Sequence, residues 1–506
     1  MTVDSKSLLQ GFMIAGVMLV GVVMAVSVST DAAGGLAAMV PLITVLLTLL
    51  AWARPKAGLY GLAALVIWVD EFKRLAVYFG GPFSTTVFQI LAMPFIVLAA
   101  LNAGFLLNLM FRRVKIDRVG VLLYGLAAVI GFAIFFKMED SVAARGQRAA
   151  NIAGYMTLIP IAYTYLKTFD DWRRFFSFQA ILALPAAAWA IKQYYLGFDQ
   201  IEWEYARSGL SKVHYAQMFG FEHPRAFGFF GSASALGCAG IYCAYSWWHM
   251  FRYRPKRLFW LIAAVIFTLA LVASTQRSIL FYPLLVLLFA YAFRTQVRTG
   301  LLYLLIFILF SVAVMSSDYL LNEGLDNINR AIASDSAWGQ QVLKVSTFSD
   351  RLRGWQRLKR PESWSLFGTQ RELVTSAASG IDLNSTEYNH DLINKILINY
   401  GIVGLFAILI PGVFALRPLH RAIYRASDLK ERNDAAFTLA LCLPAILMSM
   451  VGGDNFNTNP INLQIWTALA GVFTIRHATR FTQIQATATE PLAAGTPPLP
   501  QAASLR

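Results

Sequence analysis

Long apolar segments alternate with short polar ones along most of this chain. Runs of about 20 apolar residues are long enough to cross the hydrocarbon core of a bilayer as α-helices. The pattern predicts twelve to fourteen such helices, with candidate segments at 8–29, 35–53, 57–70, 84–110, 119–136, 149–165, 175–193, 232–251, 258–274, 279–293, 300–315, 393–416, 434–451 and 460–475. The sequence therefore predicts an all-α polytopic membrane protein.

The spacing of these segments divides the chain into five parts. A first group of transmembrane helices occupies 1–193, and a second group occupies 194–315, including a loop at 194–231. A long, partly helical loop follows at 316–389, and 390–480 holds the last helices. The tail, 481–506, ends in a Pro/Ala-rich stretch, so we expect it to be disordered.

Composition and charge support this interpretation and give it an orientation. Of 506 residues, 57% are hydrophobic and 14% charged, whereas a soluble chain would have about 25% charged residues. The gaps at 54–56, 111–118, 167–174, 252–257, 294–298 and 417–432, with 476–480, hold 22 of the 43 Lys and Arg residues. Basic loops stay in the cytoplasm, so both termini are predicted there, and loops 194–231 and 316–389 face outward. The net charge of +15 is thus a topology signal, and it predicts no nucleic-acid partner.

Several arginines fall on the predicted outer face, against this trend. Arg225 precedes a membrane segment and is followed by Gly228, and Arg277 lies on a turn too short to reach bulk water. A helix predicted to start near Ser349 carries Arg351 and Arg353. Such arginines can bind phosphate oxygens in a bidentate manner, or they can pair with lipid headgroups. On Arg225 alone, the two interpretations are equally good.

His390 stands at the outer mouth of the segment 393–416. If one helix continues through this region at about 100° per residue, Gly401 and Gly404 lie on the histidine's face and permit close packing against a neighbour. The dipole at a helix N-terminus disfavours a charged imidazole. His390 is then a neutral ring that can accept a proton, unless it is simply a structural histidine.

Together, arginines and a histidine suit transfer from a phosphate-linked donor to a hydroxyl group. The sequence shows no metal-binding motif, no P-loop and no GxGxxG motif, so no metal or cofactor is predicted. Its three cysteines, Cys238, Cys243 and Cys442, fall in apolar segments and are expected to be packing residues.

Over 200–475, the chain resembles the family of bacterial O-antigen ligases and polysaccharide repeat-unit polymerases. The similar elements are Arg225–Gly228, the turn arginine Arg277, the stretch "DRLRGWQRLKRPESWSLFGTQ", and a histidine followed by Gly-x-x-Gly at His390, Gly401 and Gly404. Asp391 departs from the ligases, which more often have Asn, Ser or Gln there. The segment 69–88, "VDEFKRLAVYFGGPFSTTVF", is similar to one in exopolysaccharide polymerases.

The resemblance implies a GT-C-like glycosyltransferase of the bacterial inner membrane with a periplasmic active site. Its donor would be a glycan on undecaprenyl diphosphate, with the diphosphate held by Arg225, Arg277, Arg351 and Arg353. Arg277 would also share the catalytic role with His390, which would assist the acceptor hydroxyl. Gly228, Gly401 and Gly404 would give structural support.

Two acceptors fit this resemblance. A polymerase adds the glycan to another lipid-linked repeat unit, and it would have a flippase and a chain-length regulator as partners. A ligase transfers the glycan to lipid A–core. Asp391, the fourteen segments and the 69–88 stretch favour the polymerase. An alternative of another class is a polysaccharide or lipid transporter, for which charged residues at the bilayer midplane and pseudo-repeated halves are typical.

Overall fold

The structure is a computed structural model. It describes residues 32–136, 142–208, 210, 215–218, 221–232, 235–253, 256–274, 282–295, 302, 364–368, 397, 401–407, 409–414, 420, 429–452 and 459–489. The predicted segment 8–29 and all of 300–315 except Leu302 lie outside the described residues.

The first half of the described chain is a series of helices. They are α1 Ala32–Ala53, α2 Pro55–Gly80, α3 Thr85–Met110, α4 Arg118–Phe135, α5 Val142–Ala149, α6 Leu158–Tyr165, α7 Phe169–Leu196 and α8 Gln200–Arg207. A π-helical turn, Ala150–Gly154, lies between α5 and α6. The later helices are α9 Cys238–Arg252, α10 Arg257–Ala273, α11 Tyr282–Thr295, α12 Leu429–Gly452 and α13 Ile461–Thr489. Residues 401–407 and 409–414 are also helical.

The described part is therefore almost entirely helical, as predicted, with three differences in detail. The predicted segment 57–70 is the middle of a longer helix, α2. Loop 194–231 contains two short antiparallel strands, β1 Tyr215–Met218 and β2 Phe221–Pro224, with Tyr215 opposite Pro224. The tail predicted to be disordered from 481 is helical as far as Thr489, because α13 continues beyond the apolar segment.

Helix starts follow local capping chemistry. The carboxylate of Asp117 accepts a hydrogen bond from the Gly120 N–H at the start of α4 (2.9 Å), and the Thr168 hydroxyl does the same for Asp171 at the start of α7 (3.1 Å). These side chains satisfy N–H groups that have no partner within the helix.

Four described helices, α1, α3, α4 and α7, are long and apolar enough to cross a membrane by length and composition. Large apolar side chains on α4 face outward, among them Val129 and Phe132, which are each 65% exposed. A soluble fold would bury such side chains. The coarse prediction of a helical membrane protein is confirmed, while the number of spans and the GT-C-like fold stay predictions.

Loops that were predicted to share a side of the membrane lie together. At one end, Lys56 forms an ion pair with Asp171 (2.9 Å), which joins the gaps 54–56 and 167–174. At the other end, α8 and the Arg225–Gly231 region of loop 194–231 pack on the second half of α2. The predicted alternation of the loops across the membrane, and which side is cytoplasmic, stay predictions.

Candidate functional site

Four of the predicted site residues are described by the structure. Arg225 and Gly228 lie between β2 and α9, and Gly401 and Gly404 lie at the start of the helical residues 401–407. The other four, Arg277, Arg351, Arg353 and His390, lie outside the described residues, so their roles stay predictions.

A charged cluster surrounds the turn that follows Arg225. Its members come from the second half of α2, the end of α7, the N-cap of α8 and α8 itself. They are Asp70, Glu71, Lys73, Arg74, Lys192, Gln193, Asp199, Glu202 and Tyr205. We refer to these nine residues as the α2–α8 cluster. It connects helices that are distant in sequence to the turn Arg225–Gly231.

Arg74 is the centre of the cluster and is only 1% exposed. Its guanidinium pairs with the Glu71 carboxylate at 2.7 Å and lies 3.8 Å from Glu202. It also donates a hydrogen bond to the backbone carbonyl of Gly228 (2.6 Å) and lies over the Phe227 ring, 5.0 Å from its centroid. A buried guanidinium is tolerated only when its donors and charge are matched, and here the Gly228 carbonyl is one of the acceptors.

The amide of Gln193 holds the same turn from its other side. Its Oε1 accepts hydrogen bonds from the backbone N–H groups of Phe227 (2.9 Å) and Gly228 (2.8 Å). Its Nε2 donates to Glu202 at 2.5 Å and to the Gly228 carbonyl at 3.2 Å. One side chain thus holds the donor and the acceptor of a single residue, Gly228.

Gly228 is required at this point by its conformation and by its surroundings. Its φ is +61°, a left-handed value that side chains other than glycine rarely adopt. A Cβ at this position would lie 2.2 Å from the carbonyl oxygen of Ala186 in α7. The backbone of the turn therefore rests directly on α7, and no larger residue fits without moving it.

Glu202 links α8 to the rest of the cluster. It forms a capping box with Asp199, in which each side chain accepts a hydrogen bond from the other residue's backbone N–H. Its carboxylate also accepts from the Trp189 indole (2.6 Å) and lies 3.4 Å from Lys192. At 1% exposure, Glu202 is a buried charge whose oxygens are matched by donors from α7 and α8.

Asp70 binds the last residue of the turn, Gly231. Its carboxylate pairs with Lys73 at 2.5 Å and accepts a hydrogen bond from the Gly231 N–H (2.8 Å). The Lys73 ammonium lies 5.4 Å from the ring centroid of Tyr205. Burial raises the pKa of Tyr205, more than nearby Lys73 lowers it, so the phenol is neutral and contributes no charge.

The cations of the cluster are thus matched by carboxylates within it: Lys73 by Asp70, Arg74 by Glu71, and Lys192 by Asp199 at 3.3 Å. These cations hold the protein together, and their charge is already balanced. The turn that the cluster holds is largely buried, with Phe227 and Gly228 inside, and it follows directly on the half-buried Arg225. The arrangement fixes the backbone next to Arg225 at this end of the helix bundle.

Gly401 lies in close contact with a neighbouring segment, but its backbone is not that of a regular helix. The prediction used one continuous helix through His390 and Gly401, but Gly401 has a φ of +66°, which is not helical. A Cβ on Gly401 would lie 2.4 Å from the Leu366 carbonyl oxygen and from the Gly368 nitrogen. The assumption of regular helical geometry at Gly401 was therefore wrong, and its close neighbour is the turn 364–368. The face shared with His390 stays a prediction, because His390 lies outside the described residues.

The turn 364–368 caps the helix that follows Gly401. The N–H groups of Ile402 and Val403 donate to the carbonyls of Ser365 (3.1 Å) and Leu366 (3.2 Å). First-turn N–H groups have no partner within a helix, so a preceding loop supplies the acceptors. The end of the arginine-rich stretch is thereby bound to the helical residues 401–407, the first of which follows His390 by eleven positions in the sequence. Gly404 is buried one turn further along this helix.

Sequence reasoning missed the α2–α8 cluster. Two signals could have found part of it. Asp70 and Lys73, like Glu71 and Arg74, are three residues apart on an otherwise apolar helix, a spacing typical of ion pairs, and Asp199–Glu202 has capping-box spacing. Neither signal shows that the pairs meet each other and Gly228, because that contact depends on tertiary packing.

No family model, curated protein or solved structure matches the chain.

Proposed function

We propose that this protein is a glycosyltransferase that acts at the outer face of a bacterial inner membrane. Its donor is a glycan on undecaprenyl diphosphate, and its acceptor is a sugar hydroxyl. We favour an acceptor that is itself a lipid-linked repeat unit, so that the product is a longer polysaccharide. Transfer to lipid A–core is the alternative, and Asp391 and the segment 69–88 favour the polymerase.

The fixed backbone that follows Arg225 is the observation that supports the proposal best. Arg74, Gln193 and Asp70 hold the turn that starts at Arg225 through buried hydrogen bonds to Gly228 and Gly231. An arginine that only pairs with mobile headgroups has no need of such a support. A phosphate-binding arginine benefits from such a support. A charge that is already held in its binding position costs little free energy of reorganisation when the phosphate binds.

The contact between turn 364–368 and Gly401 also favours this function. It ties the end of the stretch that carries Arg351 and Arg353 to the start of the helix after His390. A single site made from these residues requires the two stretches to be neighbours. Arg277 joins the proposal through its sequence alone, which predicts a short outer turn after α10.

The proposed reaction is one inverting displacement. The acceptor oxygen attacks the anomeric carbon, a new C–O glycosidic bond forms, and the C–O bond to the diphosphate breaks. The electron pair of that bond leaves with the diphosphate, whose charge Arg225, Arg277, Arg351 and Arg353 balance. His390 accepts the proton of the acceptor hydroxyl. Diphosphate is a good leaving group, so the protein supplies charge stabilisation and a base.

An open cleft of about 310 Å³ lies at the same α2–α8 junction, one turn beyond Lys73 and Arg74. Its lining combines the Tyr78 ring with the charged groups of Glu204 and Arg207. Aromatic rings and planar polar groups suit a sugar, which has both apolar faces and hydroxyls. The cleft offers a place for glycan close to the turn of Arg225.

A strain that lacks the gene and is complemented with variants tests the proposal. We expect Arg225→Lys and Arg277→Lys to lower polymer formation by at least about tenfold, because lysine cannot bind phosphate as a planar fork. His390→Gln should abolish it, because glutamine hydrogen-bonds but takes no proton. Arg54→Lys, at an exposed position in the loop at the opposite end of the bundle, is the control and should form polymer like the wild type. Normal polymer in all three variants, at normal protein levels, would contradict the proposal.

A further inference from the structure

A second cavity, at the opposite end of the molecule from the α2–α8 cluster, belongs to no step of the proposed reaction. It has a volume of about 430 Å³ and lies between the C-terminal ends of α1 and α3. This volume falls in the range of about 300–1,000 Å³ that is typical of small-ligand sites. Its lining residues are Leu49, Trp52, Ala53, Gly104, Leu107, Asn108, Phe111 and Arg113.

The floor of the cavity is a place where two helix backbones touch. A Cβ on Gly104 of α3 would lie 2.5 Å from the carbonyl oxygen of Trp52 in α1. Small residues permit this approach between membrane helices. Beside the contact, Leu49 and Leu107 form an apolar wall, and Leu49 is 52% exposed on the outside of the bundle. The cavity is therefore open sideways, toward the region that lipid would occupy.

The rim of the cavity is basic and held in a defined shape. Arg113 lines it, with its guanidinium 5.6 Å from the centroid of the Phe111 ring. The Arg113 N–H donates to the backbone carbonyl of Asn108 (2.9 Å), so the loop folds back over the end of α3. Asn108 is itself fixed by a hydrogen bond from its Nδ2 to the Gly104 carbonyl (2.8 Å).

The two loops at this end of the molecule are rich in basic residues, which is typical of loops on the cytoplasmic side of a membrane. The gaps 54–56 and 111–118 contain six of the chain's basic residues, and they are predicted to be cytoplasmic. The cytoplasmic leaflet carries anionic lipids, and basic pockets between helices on that side bind their head groups. Trp52, which is 52% exposed at the rim, is a residue type enriched at the membrane interface.

We propose that this cavity binds one anionic phospholipid of the cytoplasmic leaflet. An acyl chain lies against Leu49 and Leu107, and the phosphate group is held by Arg113. The apolar wall explains why the ligand is a lipid, and the guanidinium explains why its head group carries net negative charge. The proposal does not depend on the glycosyltransferase activity.

The test uses the full-length protein purified in detergent, with phosphatidylglycerol as the probe and native mass spectrometry as the readout. We expect phosphatidylglycerol to bind at least about tenfold more tightly than zwitterionic phosphatidylcholine, and Arg113→Gln to weaken binding by about tenfold. Lys115→Gln removes a charge from the same loop but does not line the cavity, and should bind like the wild type. Equal binding of the two lipids, or unchanged binding by Arg113→Gln, would overturn the proposal.

A second pair of variants tests the apolar wall. Leu49→Trp should fill the cavity and reduce phosphatidylglycerol binding, whereas Leu46→Trp, at an exposed position of α1 outside the lining, should leave it unchanged. Equal loss in both variants would mean that the lipid coats α1 without using the cavity. Inorganic phosphate at the concentration of the lipid should not displace it; displacement would indicate a plain anion site and contradict the lipid assignment.

Discussion

The guanidinium of Arg74 donates a hydrogen bond to the carbonyl of Gly228 across 154 residues of sequence, at a distance of 2.6 Å. Arg74 belongs to a helix near the start of the described chain, and Gly228 belongs to the turn that positions Arg225. The bond therefore joins the N-terminal helices to the part of the chain in which we propose the glycosyltransferase site. It makes the N-terminal helices part of the proposed site's support.

Removal of Arg74 should destabilise the protein. Arg74→Met leaves Glu71 and the buried Glu202 without their arginine, and breaking a buried ion pair in this way costs about 3–5 kcal/mol. Thermal unfolding of the purified protein in detergent measures the effect, with Arg207→Met at an exposed position as the control, which should change stability by less than about 0.5 kcal/mol. Equal stability of the two variants would mean that the cluster does not hold the fold.

Gly228→Ala tests the turn itself. The added methyl group would meet the Ala186 carbonyl, and alanine disfavours a φ of +61°. We expect the turn to shift and glycan transfer to fall by at least about a hundredfold, since a misplacement of about 1 Å at a reacting group can have that effect. Gly125→Ala on α4, where a Cβ meets nothing within 4 Å, is the matched control. Wild-type activity in Gly228→Ala would show that the position of Arg225 is unimportant.

Gly401→Ala tests the contact with the turn 364–368. The new Cβ would overlap the Leu366 carbonyl and the Gly368 nitrogen, and the φ of +66° disfavours alanine. We expect lower glycan transfer together with faster proteolysis between residues 362 and 370, because the turn loses its place on the helix. Gly412→Ala lies in open space and should behave like the wild type. If Gly401→Ala also behaves like the wild type, the turn 364–368 and the helical residues 401–407 do not depend on each other.

The orientation of the chain can be tested with single cysteines. Arg207 and Lys115 are both exposed, and they lie in segments predicted to be periplasmic and cytoplasmic. An impermeant maleimide added to intact spheroplasts should label Arg207→Cys and leave Lys115→Cys unlabelled, while the three native cysteines are buried. The reverse labelling would invert the topology and place the proposed site in the cytoplasm.

The helices were predictable from the sequence, whereas the contacts that build the site were not. Apolar runs of about 20 residues locate helices because a bilayer requires them, and α3, predicted as 84–110, begins at Thr85 and ends at Met110. The α2 prediction ended at residue 70, because Asp70, Glu71, Lys73 and Arg74 lower the local hydropathy. The helix continues since these charges pair with one another, with the Gly231 N–H and with Glu202 in α8.

For the glycines, the sequence predicted which positions support the site, but it did not predict why a glycine is needed there. Gly228 and Gly401 were both expected to support the site, and both have left-handed backbone. The face calculation for Gly401 assumed helical geometry on each side of it. A positive φ is an outcome of the capping interaction with residues 365 and 366, which lie more than 30 residues earlier in the chain, and local periodicity carries no such information.

Reconstitution of the reaction tests the central claim most directly. Purified full-length protein in liposomes is given a synthetic oligosaccharide on undecaprenyl diphosphate, and mass spectrometry follows released undecaprenyl diphosphate and the length of the lipid-linked glycan. Without added metal, the wild type should release one undecaprenyl diphosphate for each unit added. His390→Gln should lower the rate by about 10²–10⁴ while still binding the donor. Absence of both products with correctly folded wild-type protein, or full turnover by His390→Gln, would contradict the account.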